Sequence, residues 1–343
     1  MISKLSSIFY AVLVCVAFIS CNGGKENELA DQNNVSVDTL SEKVKELNGR
    51  ILKDPNNPDL YKERADYYLR NKDVDAALAD ITRALKIDST KSAYYLTLSD
   101  IYFSANKTKD SKLALEKCIF IDSKNVAAMM KLAELYLYVK KNQESINYIN
   151  MALKVDRYNA KAYFMKGMNF KEIKDTVNTI SSMMTAVEQD QQYYDAYIQL
   201  GILHAAKKNK LAVDYYDNAL RIRPNSTEAL YDKAKYYQDV KDFDNASMVY
   251  QMLLKTDSTY KNAYFNLGVI HLINDKKYDE AIHYFNRAVR FDDKYVEAYY
   301  ALGSCYQAKG DSKKATENYG IALQLNPDYM PAIEAMNSIQ VKR

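Results

Sequence analysis

The chain is 343 residues long, with Lys+Arg 47 against Asp+Glu 44 and a formal net charge of +3 at pH 7. No block of Lys or Arg exceeds a few residues, so nucleic acid is disfavoured as a partner. Tyrosine stands out at 31 residues.

Behind a sparse positive start at Lys4, the first element is "IFYAVLVCVAFI", residues 8–19, an apolar run without a charge. It is too short to span a bilayer and suits a secretory h-region. The run ends in "FISC", which resembles the lipobox of bacterial lipoproteins, with Cys21 as the acylated residue. Ser20 fits the small residue that the peptidase needs, and Phe18 departs from the usual Leu. Ordinary signal cleavage and an uncleaved anchor remain as alternatives. The resemblance implies a signal peptide over 1–20 and a lipidated, flexible tether over 21–38, where "NGGKENELADQNNVSVD" is polar. Asn22 is not Asp, so the inner-membrane retention signal is absent and the outer membrane is the expected address.

From Thr39 the pattern "TLSEKVKELNGRILKDP" predicts a capping helix over 39–57. Eight units follow, over 58–91, 92–125, 126–159, 160–193, 194–226, 227–260, 261–295 and 296–329. Six have 34 residues, the fifth 33 and the seventh 35. One slot reads Ala65, Ser99, Ala133, Gly167, Gly201, Ala234, Gly268, Gly303, and those of Ala315 and Ala322 are nearly as uniformly small. Small side chains where two antiparallel helices cross let the backbones approach. Tyr299, with Tyr61, Tyr95, Tyr163, Tyr197 and Tyr264, then fills a layer around the crossing. A second capping helix is expected over 330–343.

In the last unit, Tyr299, Leu302, Gly303, Tyr306, Ala315, Tyr319, Ala322 and Pro327 match the signature of the tetratricopeptide repeat, which the array resembles throughout. The resemblance implies an all-α solenoid, a right-handed superhelix of helix-turn-helix repeats, with no sheet. It also implies a non-catalytic scaffold that binds a protein or peptide segment. Lys166 and Thr179 put polar atoms into slots that are usually Leu and Ala, so the fourth repeat is expected to be the weakest and to act as a soft joint. The Lys and Asn set with which such domains hold a chaperone's terminal carboxylate is missing: Lys235 and Asn266 are followed by Glu297 and Ala301.

No catalytic residues, metal ligands or cofactor site emerge. Cys118 and Cys305 lie six repeats apart on interior slots, too far for a disulfide. His204 and His271 replace a tyrosine two repeats apart, and His283 sits on the outer part of a second helix. Asp88, Asp122, Asp156, Asp257 and Asp292 punctuate turns, where Asp is favoured for local hydrogen bonding.

The remaining candidate is the concave surface built from the first helix of each unit. The slots of Tyr300 and Ser304 carry Phe164, Met168, Ile198, Ile202, Tyr231, Lys235, Phe265, Val269 and Tyr300 from the fourth unit onward, where Asp66, Asp100 and Glu134 stand in the first three. An apolar strip facing solvent implies a partner; burial of the same slots by superhelical closure is the structural alternative. The expected function is a membrane-anchored adaptor in envelope assembly, secretion or cell-wall maintenance. Two alternatives are a surface glycan-binding lipoprotein that uses Tyr138, Tyr231 and Tyr300, and a purely structural spacer.

Overall fold

The computed structural model describes residues 35–341; residues 1–34, with Cys21, lie outside that part. Eighteen α-helices and no strand occur among the described residues. The chain divides into two compact units at Ile87/Asp88.

The first unit holds α1 (Val35–Lys53), α2 (Pro58–Arg70) and α3 (Val74–Ile87). Helix α1 begins ahead of Thr39, so part of the stretch read as tether is helical. It buries Leu47 and Ile51. Asn57 caps α2 by accepting from the Asp59 amide, and Pro58 follows at the first helical position, where no amide is missed. Arg64 occupies a slot that holds leucine in most repeats, and forks onto both carboxylate oxygens of buried Asp80 at 2.6 Å each.

The second unit holds seven helix pairs and a closing helix. They are α4 (Ser92–Ser104) with α5 (Thr108–Ile121), α6 (Val126–Tyr138) with α7 (Asn142–Val155), and α8 (Ala160–Glu172) with α9 (Thr176–Gln189). Then come α10 (Tyr194–Ala205) with α11 (Leu211–Ile222), and α12 (Thr227–Asp239) with α13 (Phe243–Thr256). Last are α14 (Lys261–Ile270) with α15 (Tyr278–Phe291), α16 (Val296–Ala308) with α17 (Ser312–Leu325), and α18 (Met330–Val341). Each helix packs on its neighbours in sequence, and beyond that only first helices of consecutive repeats meet closely. Helix α18 turns Ala332 and Ile339 inward and leaves Glu334, Asn337 and Ser338 exposed, as a cap requires.

Local chemistry sets the repeat. In all eight turns between paired helices one residue is left-handed: Gly310 in the last, and Lys72, Asn106, Lys140, Lys174, Lys208, Lys241 and Lys276 elsewhere. A non-glycine there costs on the order of 1 kcal/mol, partly offset by a cation beside the carbonyl end of a helix. The turn aspartates close the other junctions: Asp122, Asp257 and Asp292 accept from the amide two residues on at 3.0, 2.8 and 3.0 Å. The extra residue of the seventh unit is absorbed by a π-helical turn over His271–Asp275, which leaves the following slots in phase.

The small slots are the core. Ala65, Ala133, Ala234, Ala281, Ala288, Ala315 and Ala322 are fully buried. At Gly201, Gly268 and Gly303 the aromatic ring of the paired helix lies where a Cβ would stand. The fourth repeat is no joint between compact units; the division comes ahead of the second repeat instead. Its polar atoms are satisfied locally: Lys166 Nζ donates to Asn150 Oδ1 at 3.0 Å, and Thr179 Oγ1 to the Asp175 carbonyl at 2.7 Å.

Candidate partner groove

Within the second unit, α6 meets α8, α10 meets α12, and α16 meets α18, while second helices do not meet one another as closely. The row of first helices is therefore the inside of the curve, the surface with which solenoids bind.

Aromatic tiers line this wall. The Phe164 ring lies 5.1 Å from Tyr193, Tyr231 lies 5.6 Å from Tyr260, Phe265 lies 5.0 Å from Tyr295, and Tyr300 lies 5.7 Å from Tyr329. Tyr193, Tyr260 and Tyr295 sit at the N-cap of a first helix without capping it, where Asn125, Asn159 and Ser226 do cap. The forfeited cap is worth about 1 kcal/mol, and an aromatic pair recovers about 0.5–1.5 kcal/mol.

The strip read from the sequence is only partly surface. Ile198 is 2 % exposed, enclosed with Tyr194, Ala212 and Tyr216, and offers nothing to a ligand. Phe164, Met168, Ile202, Tyr231, Phe265, Val269 and Tyr300 are half-buried, packed at the margin of the core. Lys235 pairs with Asp239 one turn on. Fuller exposure lies on the next turn of the same face, which the two-slot reading passed over: Phe103 is 57 % and Tyr138 80 % exposed. Together with Asp100, Leu115, Lys131 and Glu134 they line a cleft of about 270 Å³. Asp100 pairs with Lys131 at 2.8 Å, and Glu134 with Lys161 at 3.7 Å. Extending the periodicity from Asp100 by one turn would have found Phe103, while Tyr138 was named in the sequence for sugar stacking rather than for the groove.

Asp232 on α12 is the unusual charge. Burial, reinforced by Glu228, pushes its carboxyl up to about 6 from the ordinary 3.8. It has no ion pair or hydrogen bond among the described residues. Between those two values the folded chain binds a proton that the unfolded chain has released, so stability falls as pH rises from about 4 to about 6 and stays lowered above. Asp232→Asn is thus expected to raise stability by about 1–2 kcal/mol at neutral pH, allowing for partial solvent screening. The gain should vanish near pH 4, and urea unfolding at both pH values checks this. An unchanged stability at neutral pH would show the carboxylate to be well solvated.

Other titratable groups are spectators. Burial pushes the Cys118 thiol up to about 11 and the Cys305 thiol up to about 12, so both stay protonated and unreactive. Burial holds the His204 imidazole below its usual range, and its ring packs at a tilt against Tyr215, 5.1 Å between centroids. His271 stacks on Tyr284 at 5.3 Å. No group of three or more His, Cys, Asp or Glu suited to a metal ion occurs among the described residues. No described helix is long and apolar enough to cross a membrane.

Three stretches, residues 92–125, 231–296 and 296–329, match family models described as tetratricopeptide repeat. The chain contains tetratricopeptide repeats. Among curated proteins, it is 29 % identical over 132 residues to the BBSome complex member BBS4 of Bos taurus, covering 38 % of this chain and 25 % of that protein. It is 46 % identical over 55 residues to the mitochondrial import receptor subunit TOM70 of Saccharomyces cerevisiae, covering 16 % of this chain and 9 % of that one. The matches thus span a quarter or less of these relatives. Among solved structures, the C-terminal part of a repeat-containing protein from Cytophaga hutchinsonii aligns with a TM-score of 0.61 at 18 % identity, covering 69 % of this chain and 97 % of that one. A tetratricopeptide repeat protein from Parabacteroides merdae aligns with a TM-score of 0.50 at 14 % identity, covering 73 % and 98 %. These structural likenesses concern the fold. The chain is accordingly a repeat scaffold, with a fold that serves protein–protein contact.

Proposed function

We propose that the chain is a lipid-anchored adaptor that holds a segment of another protein along its row of first helices, in envelope assembly, secretion or cell-wall maintenance. The observation that carries the reading is the run of aromatic side chains on that inner wall, ending in Phe103 and Tyr138, which extend into solvent beside a cleft. Helix-in-groove and extended-segment binding both use such anchors. Anchoring rests on Cys21 in its "FISC" context and on the polar stretch behind it.

Phe103→Ser and Tyr138→Ser are the cleanest probes, because exposed side chains contribute little to folding. Each is expected to change stability by no more than about 0.5 kcal/mol, while crosslinking of the partner in the native envelope, read by mass spectrometry, is lost. Crosslinks that persist in both variants would place the partner elsewhere. Retention of the chain on immobilised glycans, abolished by Tyr138→Ser, would instead favour sugar stacking on that exposed ring. Cys21→Ala should release the chain from the membrane fraction and end fatty-acid labelling. Membrane retention in that variant would point to an uncleaved apolar anchor.

A further inference from the structure

The slot that Asp232 occupies has a regular use elsewhere in the array. In three other repeats a polar side chain in this slot reaches a preceding helix, while Asn266 on α14 turns instead to Tyr250 of α13. Glu63 on α2 meets Lys43 at 3.2 Å and Arg50 at 3.0 Å on α1. Lys131 on α6 meets Asp100 of α4 at 2.8 Å, and Gln199 on α10 accepts from Lys171 of α8 at 2.6 Å. In α10 the positions equivalent to Asp100 and Lys171 are Ile202 and Ala205. By register these apolar residues stand opposite Asp232, and of the three charged residues in this slot it alone has no counter-ion among the described residues. The nearby lysines of its own helix are engaged, Lys233 with Asp217 at 2.5 Å and Lys235 with Asp239. The charged and titratable groups around it are Glu228 on its own helix, Tyr216 from α11 and Tyr260 ahead of α14, none of them cationic.

We infer that the stretch of groove between α10 and α12 is a subsite for a lysine or arginine side chain of the bound segment, with Asp232 as its counter-charge. This rests on the groove-binding reading and deepens it by naming the partner's chemistry: an extended or helical peptide with a basic residue between apolar ones. Charge complementarity selects that occupant. An apolar side chain would leave the half-buried carboxylate without a partner, and an acidic one would be repelled by Asp232 and Glu228 together. A cation supplies the missing ion pair and can lie against the half-buried Tyr260 ring, whose face attracts positive charge. An otherwise unfavourable carboxylate is thereby satisfied only in the complex.

The test uses the full chain and short fluorescein-labelled peptides, apolar at alternate positions, with Lys, Arg, Gln or Glu at the centre. Anisotropy at about pH 7.5 is expected to show Lys and Arg peptides binding about tenfold or more tighter than the Gln peptide, the usual advantage of a charge-assisted bond. Asp232→Asn should erase that preference without weakening the Gln peptide, and Asp232→Glu should keep most of it. Lowering the pH to about 5 should also erase it in the wild type, because the carboxyl is then protonated. Equal affinity for Lys and Gln peptides, or a preference that survives Asp232→Asn, overturns the subsite and leaves the groove reading standing. Failure of every peptide to bind overturns both. Self-association of the chain that disappears in Asp232→Asn overturns the inference by making a second copy the occupant.

Discussion

Asp80→Ala is expected to destabilise the first compact unit by about 2–4 kcal/mol, the cost of leaving a partly buried cation without its partner. Arg64 holds both oxygens of Asp80, and the aspartate is only 6 % exposed. Asn48, which also accepts from Arg64, keeps the loss below the upper limit for a fully buried pair. The double variant Arg64→Leu with Asp80→Ala should recover most of the loss, because leucine fills this slot in the second, third, fifth, seventh and eighth repeats. Urea unfolding, with hydrogen exchange across residues 58–87, distinguishes the two. A double variant as unstable as the single one would mean that Arg64 contributes through packing of its stem rather than through charge.

Gly303→Ala is the second large effect, expected to lower stability by about 1–3 kcal/mol through overpacking, although alanine is the better helix former by about 1 kcal/mol. A Cβ there would lie 2.5 Å from the Tyr319 ring. That ring cannot swing away freely, since its hydroxyl donates to Gln307 at 2.7 Å and approaches Ser304 at 3.3 Å. The sixth repeat sets the scale of relief: Ala234 lies opposite a fully buried Tyr250, so the helix pair can settle around both if its spacing resets. Gly167→Ala should behave differently. The atom nearest its Cβ is the terminal methyl of Met183 at 2.8 Å, which can rotate aside, so the helical gain should survive and the change be neutral or stabilising. Thermal melts of the two variants side by side give the comparison; equal losses would refute the role assigned to the pinned ring.

Most of the fold was legible because the same crossing recurs in register: the slots of Ala315 and Gly303 could be read without knowing any contact. The polar exceptions were less so. Arg64 and Lys233 look like errors in a leucine slot until Asp80 and Asp217, sixteen residues away in each case, are seen to meet them. The groove was legible as a face but not as a surface. Ile198 shares its helical phase with half-exposed Phe265, yet it is enclosed with Tyr194, Ala212 and Tyr216, a difference that the slot alone does not carry. Asp232 was not singled out, since a lone aspartate on a helix is unremarkable in sequence. Its isolation depends on what α10 sets opposite it.

Packing confined to neighbouring helices has a kinetic consequence. Contacts within residues 88–341 join positions close in sequence, so contact order is low and little loop entropy must be lost before a contact forms. Folding of this unit can begin at any well-formed helix pair and spread outward, and rapid refolding without a slow assembly phase is expected after dilution from denaturant. Opening runs the other way: amide protons in α18, which among the described residues meets only α16 and α17 closely, should exchange sooner than those of α10 to α13, which are clamped from both sides.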